Sequence, residues 1–167
     1  QNNCDEVFAQ EQSIPQDSTF ELLQEIYVSI VGADKSSLID GSGSHVATEV
    51  RQSEVKGRGV YATEPIKKGT LCWTNRKSAT FSKGSDYRKY IEAIPEDMKC
   101  STLIWTYVQS YSPDNSLDDA MLVVEFDDSC MVNAAGWIDE DQSNEDSLGK
   151  DDIPNIKCVL DPSEKET

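Results

Sequence analysis

The stretch that decides the fold is "KGRGVYATEPIKKGTL", residues 56–71. Two glycines flank Arg58 directly before a short apolar run, and a proline and a Lys-Lys-Gly turn follow. Glycine tolerates positive φ and lets another group approach the backbone closely. Gly57 and Gly59 therefore indicate either a tight hairpin turn or a ligand lying against bare backbone. A phosphate loop is excluded, because the GxxxxGK[ST] pattern is absent and no helix is predicted next.

Charge is distributed unevenly along the 167 residues, whose net charge is −16. Residues 1–50 carry −8, residues 51–99 carry +5 and residues 100–167 carry −13. An acidic chain argues against nucleic-acid binding, because contacts with phosphates dominate such affinity. The charge favours a basic protein partner, or serves solubility alone. We expect the basic segment to form one face of the protein and the acidic segments another.

The cysteine pattern predicts neither a zinc site nor a full set of disulfides. The spacing between cysteines is near thirty residues or larger, no C-x-x-C occurs, and His45 is the single histidine. An odd number of thiols is typical of free, buried cysteines rather than of a complete disulfide framework. No apolar run reaches the roughly 18 residues of a membrane span, so no transmembrane segment is predicted.

Periodicity predicts an α+β domain that is mainly β, with a helical insert and an N-terminal helix. The helix over 18–31 is bounded by the capping-box pair Ser18 and Glu21 and by Gly32. The residues Leu103, Ile104, Tyr107, Val108 and Tyr111 continue a second helical region, so helices are predicted at 86–93 and 96–111. Strands are predicted at 46–51, 58–63, 70–74, 121–127 and 155–160.

Two further segments carry a resemblance to a known family. "VKGRGVYATEPIKKGTLCW" resembles the opening of a SET domain, the fold of many protein-lysine methyltransferases. Downstream, "DDSCMVNAAGW" and "IPNIKCV" are similar to the family's Asn-His-Ser/Cys segment and its Pro-Asn pair. The resemblance covers residues 46–160. It implies a SET-like β-clip domain over 46–167, preceded by an N-terminal arm and helix over 1–45.

The resemblance also implies a cofactor site, because the glycine turn of the family lies against S-adenosylmethionine. The residues implied for cofactor binding are Lys56, Gly57, Arg58, Gly59, Tyr61 and Asn133. Methyl transfer needs a desolvated amine that is aimed at the methyl group, and aromatic walls supply this. The candidate catalytic residues are Tyr107 and Tyr111, with Tyr61 and Trp105 as further aromatic candidates. The alternative for these rings is packing in the core.

Departures from the family pattern favour a role without catalysis. Ala134 stands at the position of the family's histidine, and the family's closing segment, with its second turn and its tyrosine, is not found up to Thr167. We therefore expect a SET-like domain without a cofactor that is a non-catalytic, protein-binding module or a subunit of a larger assembly. The alternative is an S-adenosylmethionine-dependent protein-lysine methyltransferase whose catalytic segment lies outside this chain. A third hypothesis is a β-clip domain of unrelated function.

Overall fold

A computed structural model describes Cys4 and residues 13–53, 57–110 and 119–132. These residues form helices and two antiparallel sheets. In chain order the elements are α1 (Asp17–Val31), β1 (Thr48–Ser53), β2 (Gly57–Ala62), β3 (Ser78–Phe81), α2 (Gly84–Ala93), α3 (Glu96–Trp105), β4 (Thr106–Gln109) and β5 (Met121–Glu125). Short 3-10 turns occupy Ala33–Lys35 and Asp128–Met131.

The strands form a β1–β2 hairpin and a separate sheet with the order β3–β5–β4. Every pairing is antiparallel, which confirms the α+β class. The expectation of a mainly β domain is wrong for the described residues, in which helices cover more residues than strands. Two strands that the sequence did not predict, β3 and β4, pair on either side of β5.

Helix α1 confirms the predicted N-terminal helix. It ends at Gly32, whose φ of 91° suits glycine and whose N–H donates to the carbonyl of Val28 at 2.9 Å. The predicted capping box is wrong, because the helix begins at Asp17 and the cap position falls on Gln16, whose side chain makes no capping bond. Ser18 is therefore already inside the helix.

Two other predicted elements need correction. The strand predicted at 70–74 is only an isolated bridge between Ser44 and Trp73. The helix predicted over 96–111 ends at Trp105, because the next four residues pair with β5 and tertiary pairing overrides the helical periodicity. The strand predicted at 155–160 lies outside the described residues.

The core is built around an aromatic cluster that joins α1 to the three-stranded sheet. Tyr27 is fully buried, and its ring centroid lies 5.1 Å from that of Phe81 and 6.0 Å from that of Phe126. Tyr90 of α2 packs on Phe81 at 5.2 Å. The N-terminal helix thus packs on its own chain, and this core holds the sheets in place beside the candidate site.

The hydroxyl of Ser37 hydrogen-bonds to the backbone of β3 at the edge that does not pair with β5. It donates to the carbonyl of Ser78 at 2.7 Å and accepts from the N–H of Thr80 at 3.0 Å. The Tyr27 hydroxyl also donates to the carbonyl of Thr80 at 3.1 Å. These bonds fasten the loop after α1 to the sheet, as a neighbouring strand would.

A disulfide joins Cys4 to Cys100 of α3 across a sequence separation of 96. The prediction of free thiols is therefore wrong for these two cysteines. Cys72 and Cys130 are free and partly exposed, while Cys158 lies outside the described residues. Because the two cysteines are 96 positions apart in the sequence, no local pattern could predict that they form a disulfide.

Candidate functional site

The two glycines lie in strand β2, which pairs with β1 in an antiparallel hairpin. Gly57 opens β2 with a φ of 66°, in the left-handed region, and pairs with Ser53. A Cβ built on Gly57 meets no atom within 4 Å, so the backbone conformation rather than crowding requires glycine there. Gly59 is buried and lies opposite Arg51. The antiparallel pairing of β1 with β2 agrees with the hairpin interpretation of the glycines.

Arg58, between the two glycines, has a partly buried side chain whose guanidinium contacts three other residues. Its Nη1 donates to the carbonyl of Ser13 at 2.9 Å, and its Nη2 donates to the hydroxyl of Ser101 at 3.4 Å. The guanidinium carbon lies 5.4 Å from the ring centroid of Trp105, a cation–π distance. Burial lowers the pKa of Arg58 from its ordinary value, although a guanidinium stays charged in proteins. Arg58 therefore links the N-terminal arm, β2 and α3.

The 3-10 turn Asp128–Met131 packs against β2 and leads directly toward Asn133. The side chain of Asp127 caps this turn by accepting from the N–H and the hydroxyl of Ser129, at 3.0 and 2.6 Å. Its other carboxylate oxygen accepts from the indole N–H of Trp73 at 3.2 Å. The structure thus places the segment before Asn133 beside β2, the strand that contains the two glycines.

The thiol of Cys130 in this turn is not an activated nucleophile. Burial raises its pKa well above the ordinary value, and the nearby Asp127 carboxylate raises it further. Arg58 opposes these effects but does not outweigh them. A protonated, half-buried thiol is a packing group, because the thiolate is the reactive form of cysteine.

The candidate aromatic residues take separate positions. Tyr61 is partly exposed on β2, with the guanidinium of Arg51 above its ring at 5.5 Å. Trp105 is buried and packs on Phe20, with 6.2 Å between ring centroids. Tyr107 lies on β4, in the other sheet, and donates its hydroxyl to Glu125 at 2.6 Å. The core-packing interpretation therefore holds for Trp105.

Glu125 is a titratable residue that sequence patterns gave no reason to select. One carboxylate oxygen accepts from the hydroxyl of Ser78 at 2.5 Å, and the other accepts from Tyr107. Burial raises the pKa of the Glu125 carboxyl, the two hydrogen bonds oppose this shift, and Asp127 adds to it. The folded protein therefore favours the protonated form of Glu125 more than the unfolded chain does.

This shift predicts a pH-dependent stability that the variant Glu125→Gln lacks. Because the folded pKa is raised, the contribution of Glu125 is fully present below its unfolded pKa, about 4.3, and is lost as pH rises through the folded pKa. Urea unfolding of both proteins over a pH series should show wild type losing stability relative to Glu125→Gln as pH rises. The variant Tyr107→Phe removes a hydrogen bond that lowers the pKa of Glu125. The stability of this variant should therefore continue to fall up to a higher pH than that of wild type. Parallel curves for wild type and Glu125→Gln would contradict the shift.

Three of the implied site residues, Lys56, Tyr111 and Asn133, lie outside the described residues. Of the others, Gly57, Arg58, Gly59 and Tyr61 share strand β2, and Tyr107 lies in a different sheet. The sequence missed the partners of Arg58, since Ser13 and Ser101 are 45 and 43 residues away from it. No short-range pattern signals contacts of that kind.

Within the described part of the chain, no three His, Cys, Asp or Glu side chains group so as to hold a metal ion. Over the same residues, no helix combines the length and the apolar character needed to cross a membrane. Comparisons of the chain with protein-family models, with curated proteins and with solved structures find no match.

Proposed function

We propose that the chain is a SET-like domain that acts as a non-catalytic protein-binding module. Two features support the likeness: the motif sequences themselves, and the packing of the glycine strand against the turn that leads to Asn133. The β-clip arrangement of the short strands is part of this proposal. The chain would then bind a protein partner, alone or as a subunit of a larger assembly, without a cofactor.

The observation that carries the non-catalytic role is that the partly buried guanidinium of Arg58 bonds to groups of its own chain. A cofactor on the glycine strand would need the groups of this turn to face the ligand. Arg58 instead bonds to Ser13 and Ser101 and lies over Trp105. The alanine at position 134 further removes a side chain that the family's pattern places at the cofactor.

The second candidate function is S-adenosylmethionine-dependent methylation of protein lysines. The observation in its favour is the same strand, because Gly57 keeps open space where its Cβ would stand. S-adenosylmethionine would lie there, and Tyr107 or Tyr111 would line the lysine channel.

Melting the protein with and without S-adenosylmethionine separates the two functions. A ligand at one hundred times its dissociation constant stabilises the fold by about 2.7 kcal/mol. For a chain of this length that corresponds to a rise in melting temperature of roughly 5–10 °C. We expect no rise, and no transfer of labelled methyl groups to a lysine-rich protein. A clear rise, or labelled product, would establish the methyltransferase in its place.

A further inference from the structure

A groove made of two adjoining clefts lies along α1. The clefts have volumes of about 510 and 690 Å³ and share Glu21, Gln24 and Lys77 in their walls. The first cleft begins at Asp17 and at Asp128 of the 3-10 turn, and the second ends at the loop around Ile39. Because α1 forms one wall of both clefts, the groove follows the helix from its first residue to Val28.

The groove is strongly acidic. Six carboxylates line the two clefts together, and Lys77 is the one cation among the lining residues; the carboxylates are Asp17, Glu21, Glu25, Asp40, Asp127 and Asp128. The ion pairs found among the described residues use other carboxylates, namely Glu49, Asp86 and Glu96. Burial raises the pKa of Asp128, and the neighbouring carboxylates of Asp127 and Asp17 raise it further. Arg76 is a second cation at the edge of the groove, because its guanidinium donates to the carbonyl of Asp40 at 2.9 Å. The six carboxylates still outnumber Lys77 and Arg76.

The floor of the groove is partly apolar. Phe20, Trp73 and Phe126 contribute to the first cleft, and Val28, Leu38 and Ile39 contribute to the second. Ile39 is 54% exposed, although it is a large aliphatic residue. An acidic rim over an apolar floor matches a ligand that carries both positive charge and apolar side chains.

We propose that this groove binds an extended, cationic segment of a partner protein in which basic and apolar residues alternate. From Asp17 to Val28 the helix rises by roughly 16 Å, a length that about five residues of extended chain span. In an extended chain, successive side chains point to opposite sides, so apolar residues would face the floor and basic ones the rim. The inference deepens the proposed protein-binding role, on which it rests for the kind of partner.

A second copy of the chain is the nearest competing occupant. Its exposed turn at 65–71 carries Lys67 and Lys68 between Ile66 and Leu71, which are 41% and 60% exposed. Two copies that each carry a net charge of −16 repel one another, and this repulsion favours a foreign, basic partner. Sedimentation of the purified chain tests the point directly: we expect a monomer. Self-association that is lost in the variant Lys67→Gln/Lys68→Gln would overturn the proposal.

The binding test uses a short, fluorescently labelled peptide of alternating lysine and leucine and the full chain, followed by fluorescence anisotropy. The groove variant carries Asp17→Asn, Glu21→Gln and Glu25→Gln, three exposed positions on α1. We expect its dissociation constant to rise about tenfold, because three charge contacts at exposed positions, each of them weak, are lost together. Binding to wild type should weaken between about 0.1 M and 1 M salt, since screening shortens from about 10 to 3 Å.

The matched control carries Glu64→Gln, Glu92→Gln and Asp97→Asn, which change the net charge equally at exposed positions outside the groove. The control should bind within about twofold of wild type, well below the tenfold change expected for the groove. Equal weakening of both variants would show that net charge alone attracts the peptide and would overturn the proposal. So would tighter binding of oligolysine than of the lysine–leucine peptide, or an absence of binding to wild type. Methyl transfer by wild type would refute the non-catalytic role while leaving the mapping of the groove intact.

Discussion

Reduction of the Cys4–Cys100 disulfide is expected to lower the free energy of unfolding by about 3–5 kcal/mol, because the bridge closes a loop that spans 96 positions. The closed loop restricts the unfolded chain more than the folded one. The bridge also fixes Cys4 to α3, next to Ser101, the residue that contacts Arg58. Urea unfolding with and without a dithiol reductant measures the loss directly.

Two variants make this expectation specific to one bridge. The double variant Cys4→Ser/Cys100→Ser should have the stability of the reduced protein and should not respond to the reductant. The variant Cys72→Ser, which changes a free cysteine, should respond as wild type does. An oxidised wild-type protein whose unfolding curve ignores the reductant would contradict the bridge.

Replacement of Tyr27 by alanine is expected to destabilise the fold by about 3–5 kcal/mol, the range for removing a large aromatic side chain from a core. The ring is fully buried between Phe81 and Phe126, so its loss leaves a cavity at the junction of α1 and the sheet. The hydroxyl bond to the carbonyl of Thr80 is lost as well. Thermal and urea unfolding both measure this effect.

The variant Tyr27→Phe separates the ring from the hydroxyl. It keeps the ring and removes only the hydroxyl's bonds to Thr80 and Ser37, which leaves partly buried partners unsatisfied, so we expect a loss of about 1–3 kcal/mol. Leu22→Ala, at a neighbouring position of α1 that is 42% exposed, should change stability little. A Tyr27→Phe variant as unstable as Tyr27→Ala would mean that the hydroxyl network, and not ring packing, holds α1 to the sheet.

Elements with one buried face could be predicted from the sequence. Phe20, Leu23 and Tyr27 repeat at helical spacing and are the buried residues of α1, so periodicity located that helix within one residue. The glycines and the alternating residues after them located the hairpin. In both cases the local pattern and the final packing agree.

The same method failed where exposed residues imitate a buried face. Leu103, Ile104, Tyr107 and Val108 have helical spacing, yet all four are exposed, and the chain changes from helix to strand between the second and the third. Pairing with β5 decides the structure there, and β5 is more than ten residues further along the chain. Long-range pairing of this kind leaves no local signal.

The candidate site, too, could be predicted from the sequence only in part. The sequence related the glycine strand and the segment before Asn133 only through the family resemblance, whereas the packing of β2 against Asp128–Met131 comes from the structure. The direction of Arg58 and the acidic groove escaped prediction. Both depend on residues from three separate stretches of the chain, which only the folded core brings together.

The bonds that Ser37 makes to β3 have a consequence for the behaviour of the protein at high concentration. An edge strand with free N–H and C=O groups is a template to which strands of other molecules can add, and such addition leads to aggregation. On β3 a single hydroxyl occupies the carbonyl of Ser78 and the N–H of Thr80. The Tyr27 hydroxyl occupies the carbonyl of Thr80 at the same edge. Two side chains thereby hinder intermolecular strand addition there, a protection that owes nothing to the net charge of the chain.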